Sequence, residues 1–488
     1  MRPKNPPVTT TDCKRKGIAT SGVALLAMTN IYKSGDDFIT VITTILLILI
    51  AVLLFEMIIF FHELGHFITA KKSGVKVNEF ALGMGPKIFS FVKGETTYSL
   101  RAFPIGGFCA MEGEDEESNN PRSFNNAKIW KRMIIIIAGA FMNIVFGLIL
   151  MFVTVIPQDA YASTQVSQFV PYSFSAVSGL QQGDKIVNIN GYAINTSTDF
   201  SFALYTLPVT EVDGTELTIY KEDCAYELYT YLADYAQEQP DDETFAKVYE
   251  VMLNGQQAIA ATQSKDEAYQ AMCTNLDEMA QTASKEKLSE YPQIEERETR
   301  QRFRTDMSVI RDGERVDLKG VDFFTGKKEG EDKPTLSIDF YVEPIEKTFG
   351  SVISQTFGQT VSVVRMVWGS LIGLLKGQFG LNELSGPIGI ASALTEVAGE
   401  AMKTSGFGTA VSTIVYVMMV ISVNLGIINM LPFPALDGGR FLMLLIEWIF
   451  RKPVPRKVEK VINAVGLVLL LGLSAVIAVK DVFKLFTG

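Results

Sequence analysis

The sequence predicts a mainly α-helical membrane protein with about four transmembrane helices, a membrane-associated β-hairpin region and a β-rich domain outside the membrane. Three observations support this class. The 488-residue chain is 48% hydrophobic although its formal net charge is −10. Its apolar residues gather in runs long enough to cross a bilayer, and its acidic residues gather in one internal segment. A chain that is part membrane region and part acidic soluble domain accounts for all three.

The amino-terminal extension, residues 1–37, combines several basic residues with a short apolar stretch, residues 17–28. That stretch is long enough for the core of a signal peptide and too short to span a bilayer. Three interpretations stay open: a signal-like tail, an extension without fixed structure, and an upstream start codon with Met28 as the true start.

The first membrane region, residues 38–156, begins with an apolar run over 38–70 that predicts the first transmembrane helix. Residues 77–110 alternate between polar and apolar side chains and are rich in Phe and Gly, which is typical of β-hairpin structure. Residues 133–156 form a second spanning run. Gly139, Asn143 and Gly147 give that helix one small, polar face, which we expect to serve helix packing.

The segment over residues 157–347 is the acidic domain, where acidic residues outnumber basic ones roughly two to one. Alternating strand-like sequences end in an Asn190-Gly191 turn and resume before an Asp312-Gly313 turn. Between them, residues from about 211 to 304 are rich in Ala, Gln, Glu and Lys, which predicts a helical insert within a β module.

The carboxy-terminal part begins with interfacial helices at residues 348–408 and returns to the membrane at 409–488. We expect residues 352–375 to lie on the membrane, because Arg365 near the middle of a span is costly. Residues 409–431 and 461–479 predict the third and fourth transmembrane helices.

The distribution of basic residues predicts the orientation of these spans. With four spans, the loops after the first and third lie on one side, and both are short and basic. The positive-inside rule makes that side cytoplasmic and places the acidic domain outside the cell. The basic amino-terminal tail would then lie outside as well, which is the one disagreement. Counting residues 352–375 as a span would put the two basic loops on opposite sides.

Two classes of site and partner are excluded by composition. The four cysteines show no paired spacing, so neither a disulfide framework nor a cysteine zinc site is expected. No basic cluster interleaved with aromatic residues is present, so nucleic acid is not expected as a partner.

The chain contains only two histidines, His62 and His66, and both lie in the first apolar helix. Residues four apart share one helix face, so the two imidazoles can bind one Zn²⁺ while Glu63 acts on a water. A catalytic zinc usually has three protein ligands, so a carboxylate or thiolate must complete the site. We favour Asp437, because the apolar run before it ends at the same depth. Two alternatives stay open: a membrane zincin that uses Glu447 as the third ligand, and an inactive scaffold.

Several motifs give the chain a family resemblance. It resembles the site-2 protease family of intramembrane zinc metalloproteases, in the bacterial form with an extracytoplasmic PDZ domain. The motifs are the HELGH sequence at 62–66, the NMLPFPALDGG sequence at 429–439, GMGP at 83–86, SGPIG at 385–389 and the PDZ-like stretch 179–191.

The resemblance implies an active site and a substrate class. It implies that a transmembrane segment is hydrolysed in single-span proteins already trimmed by a site-1 type protease, such as anti-sigma factors, or in signal-peptide remnants. It also implies a bacterial plasma-membrane location, with the active site near the cytoplasmic side. The implied site residues are the zinc ligands His62, His66 and Asp437, the catalytic base Glu63, and the substrate-binding residues Asn429, Gly83, Gly85, Gly106 and Gly107.

Overall fold

The computed structural model describes most of the chain from residue 35 onward. The described ranges are 35–114, 118–169, 173–206, 210–220, 243–262, 297–326, 335–336, 338–377 and 386–487, with scattered residues between 267 and 285. The amino-terminal extension predicted over residues 1–37 lies almost wholly outside them. The chain forms two compact units, one containing the residues before Asp159 and after Ser351, and the other Asp159–Ser351.

The first unit consists of long helices and one β-hairpin. Its helices are α1 (Gly35–Ser73), α2 (Ile129–Val155), α6 (Phe349–Leu375), α7 (Pro387–Ser405), α8 (Phe407–Asn429), α9 (Asp437–Phe450) and α10 (Arg456–Thr487). Each of the four predicted transmembrane segments corresponds to a helix of this set, namely α1, α2, α8 and α10, although the predicted segments 133–156 and 409–431 run one and two residues past the ends of α2 and α8.

Five described helices are long and apolar enough to cross a membrane, judged by length and composition. They are α1 (its part from Ile45), α2, α6, α8 and most of α10. The most apolar 18-residue stretch of α6 has a mean hydropathy of 1.2, whereas the corresponding stretches of the other four helices have values from 2.2 to 2.8. The difference between about four predicted spans and five candidates therefore concerns α6, which contains Arg365.

Helix α2 is the centre of this unit, because α1, α8 and α9 all pack against it. Glycines permit the close contacts. A Cβ added at Gly65 of α1 would lie 2.2 Å from the Ala138 carbonyl oxygen, and one at Gly426 of α8 would lie 2.9 Å from the Ala140 oxygen. Such approaches of backbone to backbone are the usual way in which membrane helices associate, since lipid offers no hydrophobic drive between them.

The predicted hairpin region is confirmed as two antiparallel strands, β1 (Val77–Lys93) and β2 (Thr96–Met111). The end nearest the helices is buried, with Phe80 and Met111 packed in a core that includes Phe67 of α1. The distal end instead exposes large apolar side chains to its surroundings, among them Ile88 and Phe89. A soluble protein would rarely leave such a patch uncovered.

The second unit is described as an antiparallel β-sheet with two short helices, α3 (Phe174–Val177) and α4 (Ser197–Thr206), and one longer helix, α5 (Glu243–Ala260). The sheet order is β10-β3-β4-β7-β8-β9, with β5 beside β4 and β6 beside β7. The strands are β3 (Ala160–Phe169), β4 (Lys185–Ile189), β5 (Tyr192–Ala193), β6 (Thr210–Tyr220), β7 (Arg297–Arg311), β8 (Glu314–Gly326), β9 (Thr335–Leu336) and β10 (Phe340–Glu346).

Both predicted hairpin turns of this unit are confirmed. Asn190 and Gly191 join β4 to β5, and Asp312 and Gly313 join β7 to β8. All four residues have positive φ, from 46° to 86°. Positive φ at both central residues suits the right-handed twist of a tight hairpin and favours Asn, Asp and Gly.

The predicted helical insert was too wide at both ends. Residues 210–220 and 297–304 belong to the paired strands β6 and β7, and helix α5 (Glu243–Ala260) is the long helix described between them. The polar composition of 297–304 suggested a helix, but pairing with β6 on one side and β8 on the other determines its structure. β-Propensity depends on such neighbours more than helix propensity does.

Candidate metal centre

His62 and His66 project from the same face of α1, where their ring Nε2 atoms lie 3.2 Å apart. Each residue is only 9% exposed. The spacing of four residues brings the two rings together, since positions i and i+4 are neighbours on a helix surface. The two imidazoles thus present their Nε2 atoms to one point inside the helical unit.

Asp437 is the first residue of α9 and reaches the same point from the far end of the sequence. Its Oδ2 atom lies 3.2 Å from His62 Nε2 and 3.3 Å from His66 Nε2. One ligand atom from each of the three residues falls within 4.8 Å of the others. The structure therefore brings together the three residues that the sequence proposes as zinc ligands.

The sequence after Asp437 explains how α9 can begin there. A Cβ added at Gly438 would lie 2.2 Å from the Leu431 carbonyl oxygen, and one at Gly439 would lie 2.3 Å from the Phe433 oxygen. The preceding turn also contains Ala435 at φ 74°. The paired glycines let the first turn of α9 rest directly on the backbone that follows α8, which fixes the position of Asp437.

Helix α2 supports both imidazoles from behind. The Nδ1 atom of His66 lies 2.8 Å from the Ile135 carbonyl oxygen and donates to it. The Nδ1 atom of His62 lies 3.3 Å from the amide of Asn143. Between these contacts, a Cβ added at Gly139 would lie 2.3 Å from His66 Nε2 and 2.8 Å from His62 Cε1. Residues 135, 139 and 143 lie on successive turns of one face of α2, and the two imidazole rings pack against this face.

The donor set fits a zinc ion. The Asp437 Oδ2 atom is buried and has no hydrogen bond of acceptable geometry among the described residues, although two ring nitrogens lie close to it. Two imidazole nitrogens and a carboxylate oxygen that converge on one point match the ligands of a catalytic zinc site. Because Nδ1 of His66 donates to a carbonyl, Nε2 of the neutral ring carries no proton and its lone pair can bind a metal ion.

Glu63 follows His62 on α1 and faces strand β2. A Cβ added at Gly107 would lie 3.4 Å from Glu63 Cγ, so the Glu63 side chain lies against β2. The Cys109 thiol itself is buried, and this burial, with Glu63 nearby, raises its pKa far above the ordinary value. Strand β2 thus passes the metal centre beside the predicted base, while Cys109 stays a neutral thiol.

Glu447 does not join the metal centre. Its carboxylate pairs with Arg132 at 3.2 Å, and both side chains are less than one-fifth exposed. This ion pair connects α9 to the start of α2. The alternative in which Glu447 is the third zinc ligand therefore conflicts with the structure, because the carboxylate is already committed to an arginine.

The predicted substrate-binding residues fall into two places. Gly107 lies beside Glu63, whereas Gly83, Gly85 and Gly106 lie in the hairpin with positive φ, next to Phe103 or Met84. Asn429 is the last residue of α8, just before the turn that leads to Asp437.

Sequence reasoning missed Gly139 and Asn143 as site residues and assigned them to helix packing. The signal available was their spacing of four within an apolar helix, which puts a gap and an amide on one face. That face could have matched two histidines four residues apart on a neighbouring helix. Gly147, the third residue of the same face, does serve packing, against Val423 of α8.

Comparison with known proteins gives one family. The model of peptidase family M50 matches residues 50–473. A protein of Clostridium perfringens that carries a zinc metalloprotease name is 30% identical over 436 residues, covering 89% of this chain and 98% of the relative. The regulator of sigma-W protease RasP of Bacillus subtilis is 28% identical over 461 residues, with coverages of 89% and 98%. Zinc metalloprotease RasP of Bacillus licheniformis is equally similar. The chain belongs to peptidase family M50, the site-2 protease family, and is a membrane zinc metalloprotease.

Proposed function

We propose that this protease hydrolyses peptide bonds within, or at the edge of, transmembrane segments of single-span membrane proteins, with His62, His66 and Asp437 as its zinc ligands. The observation that carries the proposal is the convergence of these three side chains inside a cluster of apolar helices. Ionisable groups at such depth are costly to bury and are rarely without function.

The residues around the centre suit hydrolysis. Bound zinc would supply Lewis acidity to the attacking water and to the scissile carbonyl. Glu63 acts as the general base, taking a proton from that water and passing it to the leaving amine. The Gly107 position of β2 lies against the Glu63 side chain. Asn429, at the end of α8, contacts the substrate near the developing oxyanion, where an amide donor is stabilising.

Strand β2 offers a way to hold an extended substrate. A transmembrane helix hides its carbonyls in internal hydrogen bonds, so its scissile segment must unwind before it can be attacked. β2 passes Glu63 at Gly107, and a substrate strand added beside it would have its own backbone groups satisfied. Gly83, Gly85 and Gly106 give the hairpin the bends that such docking requires.

The active site lies towards the cytoplasmic side in this proposal. Lys71 and Lys72 end α1 close to the metal centre, and a second basic loop follows α9. α1 and α8 both have the centre near their carboxy-terminal ends, so both cross in the same direction. The chain between α2 and α8 must then cross an even number of times. Among the described helices of this stretch only α6 is a candidate span, which favours an interfacial position for α6.

The second unit acts as an extracytoplasmic PDZ-like domain. Its antiparallel sheet with two short helices and its acidic sequence support this assignment. Such a domain would admit substrates already shortened by an upstream site-1 type protease. Anti-sigma factors are the substrate class we favour over signal-peptide remnants, because one relative carries the name regulator of sigma-W protease.

The test is cleavage of a single-span substrate by purified protein in detergent, with zinc content measured in parallel. Glu63→Gln should keep zinc and lose at least 100-fold in rate, as expected for a general base. Asp437→Asn should lose zinc and activity together. Wild-type rates in Glu63→Gln, or full zinc in Asp437→Asn, would contradict the assigned roles.

A further inference from the structure

We propose that Asn143 is a positioning residue of the metal centre, whose side-chain amide oxygen accepts the Nδ1 proton of His62 when zinc is bound at His62 Nε2. This inference rests on the proposed ligation of zinc by His62 Nε2. It begins from two observations on one residue: Asn143 is fully buried with its amide 3.3 Å from His62 Nδ1, and its Oδ1 atom has no hydrogen-bond partner among the described residues.

The tautomer of His62 determines what the Asn143 amide must offer. Its Nε2 atom faces Asp437 Oδ2 and His66 Nε2, so Nε2 is the nitrogen available to a metal. A neutral imidazole bound to metal through Nε2 carries its proton on Nδ1. That N–H must donate to an acceptor, and Asn143 is the side chain that faces it. The metal-bound state therefore needs the Asn143 oxygen at this position.

The amide of Asn143 can supply this acceptor. Its Nδ2 atom lies 3.3 Å from His62 Nδ1, and its Oδ1 atom is buried without a hydrogen-bond partner among the described residues. An amide has a donor and an acceptor at nearly the same place after a half turn about its terminal bond. Asparagine can thus satisfy either tautomer, which a hydroxyl-free apolar residue cannot.

The neighbouring residues of α2 and α8 hold the Asn143 amide in this place. The Asn143 backbone oxygen accepts from Ser422 Oγ of α8 at 2.8 Å, which fixes α2 against α8 at this turn. The neighbouring turn of the same face leaves no room at Gly139 for either ring to retreat. His66 has a backbone acceptor in the Ile135 carbonyl, so of the two histidines only His62 depends on a side chain for its acceptor. Outer partners of this kind typically contribute 10–100-fold to metal affinity.

The test measures zinc affinity by competition with a chelator, and thermal stability of the zinc-free protein, for full-length protein in detergent. Asn143→Leu keeps the shape without either polar atom, and it should weaken zinc binding 10–100-fold while the zinc-free protein stays close to wild type in stability. Asn143→Asp supplies an acceptor only. It should restore zinc affinity to within a few-fold of wild type and should lower the stability of the zinc-free protein, because its carboxylate is buried and unpaired.

A purely structural role for Asn143 predicts that affinity follows stability, so that Asn143→Asp binds zinc worse than Asn143→Leu. That order would overturn the proposal, as would wild-type affinity in Asn143→Leu. Ser422→Ala is the matched control, since it removes a contact of the same residue without touching its amide, and it should leave zinc affinity unchanged. His62→Ala is measured alongside. Full zinc binding by His62→Ala would show that the ligand assignment has failed, whereas lost binding there with an unaffected Asn143→Leu refutes the positioning role alone.

Discussion

Replacing Gly139 by alanine should disable the metal centre without unfolding the protein. The added Cβ would lie 2.3 Å from His66 Nε2 and 2.8 Å from His62 Cε1, against ordinary contacts of 3.4 Å and more. At least one imidazole must therefore move by about 1 Å. A misplacement of that size near reacting groups costs on the order of 100-fold in rate. We expect kcat/KM to fall about 100-fold, with zinc affinity falling at least tenfold.

The effect should not come from the helix itself, because alanine is favoured over glycine in a helix interior by about 1 kcal/mol. Gly147→Ala is the matched control, two turns further along the same face. Its Cβ would lie 2.7 Å from Val423 Cγ2, the end of a side chain that can shift, and it is far from the imidazoles. The assays are cleavage of a single-span substrate and zinc content after purification. Wild-type zinc content and cleavage rate in Gly139→Ala would refute the claim that Gly139 makes room for the two imidazoles. Equal losses in Gly147→Ala would refute it as well.

Three further predictions use the same two assays together with thermal denaturation. Glu447→Gln should keep its zinc and should lower the free energy of unfolding by about 3 kcal/mol, because Arg132 would lose the partner of a largely buried ion pair. Loss of zinc would instead support Glu447 as the third zinc ligand. Gly438→Ala should lose zinc, since its Cβ would lie 2.2 Å from the Leu431 oxygen and displace the start of α9; unchanged zinc would show that the DGG turn does not fix Asp437. Glu95, in the turn between β1 and β2, pairs with Arg122 and Lys71, which hold its pKa at about 2 instead of 4.5. Because the folded-state pKa is the lower one, this stabilisation is complete above pH 4.5 and is lost as the pH falls towards 2. The thermal midpoint of wild type should thus exceed that of Glu95→Gln at pH 6 and lose this advantage below pH 3, whereas an advantage independent of pH would contradict it.

Local patterns in the sequence predicted the helices and the imidazole pair well. The apolar runs define α1, α2, α8 and α10, because in lipid every backbone polar group must be satisfied within the segment. The spacing of four between His62 and His66 is likewise a property of one helix.

Long-range features were predicted less well. Asp437 was assigned to the site from its depth in the membrane and from the family motif. No local pattern could link it to His66, because 370 residues lie between the two. Gly139 and Asn143 were taken for packing residues, because their partners lie on another helix and nothing local marks an amide as facing an imidazole. The strands at 210–220 and 297–304 were missed for the same reason, as their pairing depends on each other.

The central claim is that two histidines and one aspartate hold one zinc ion, and the zinc K-edge absorption spectrum of the purified wild-type protein tests it most directly. We expect a first shell of nitrogen and oxygen only, at about 2.0–2.2 Å, with the outer-shell scattering of two imidazoles. A sulfur scatterer at about 2.3 Å would bring in a cysteine such as Cys109, and a single imidazole would remove His62 or His66. Either result would contradict the site described here.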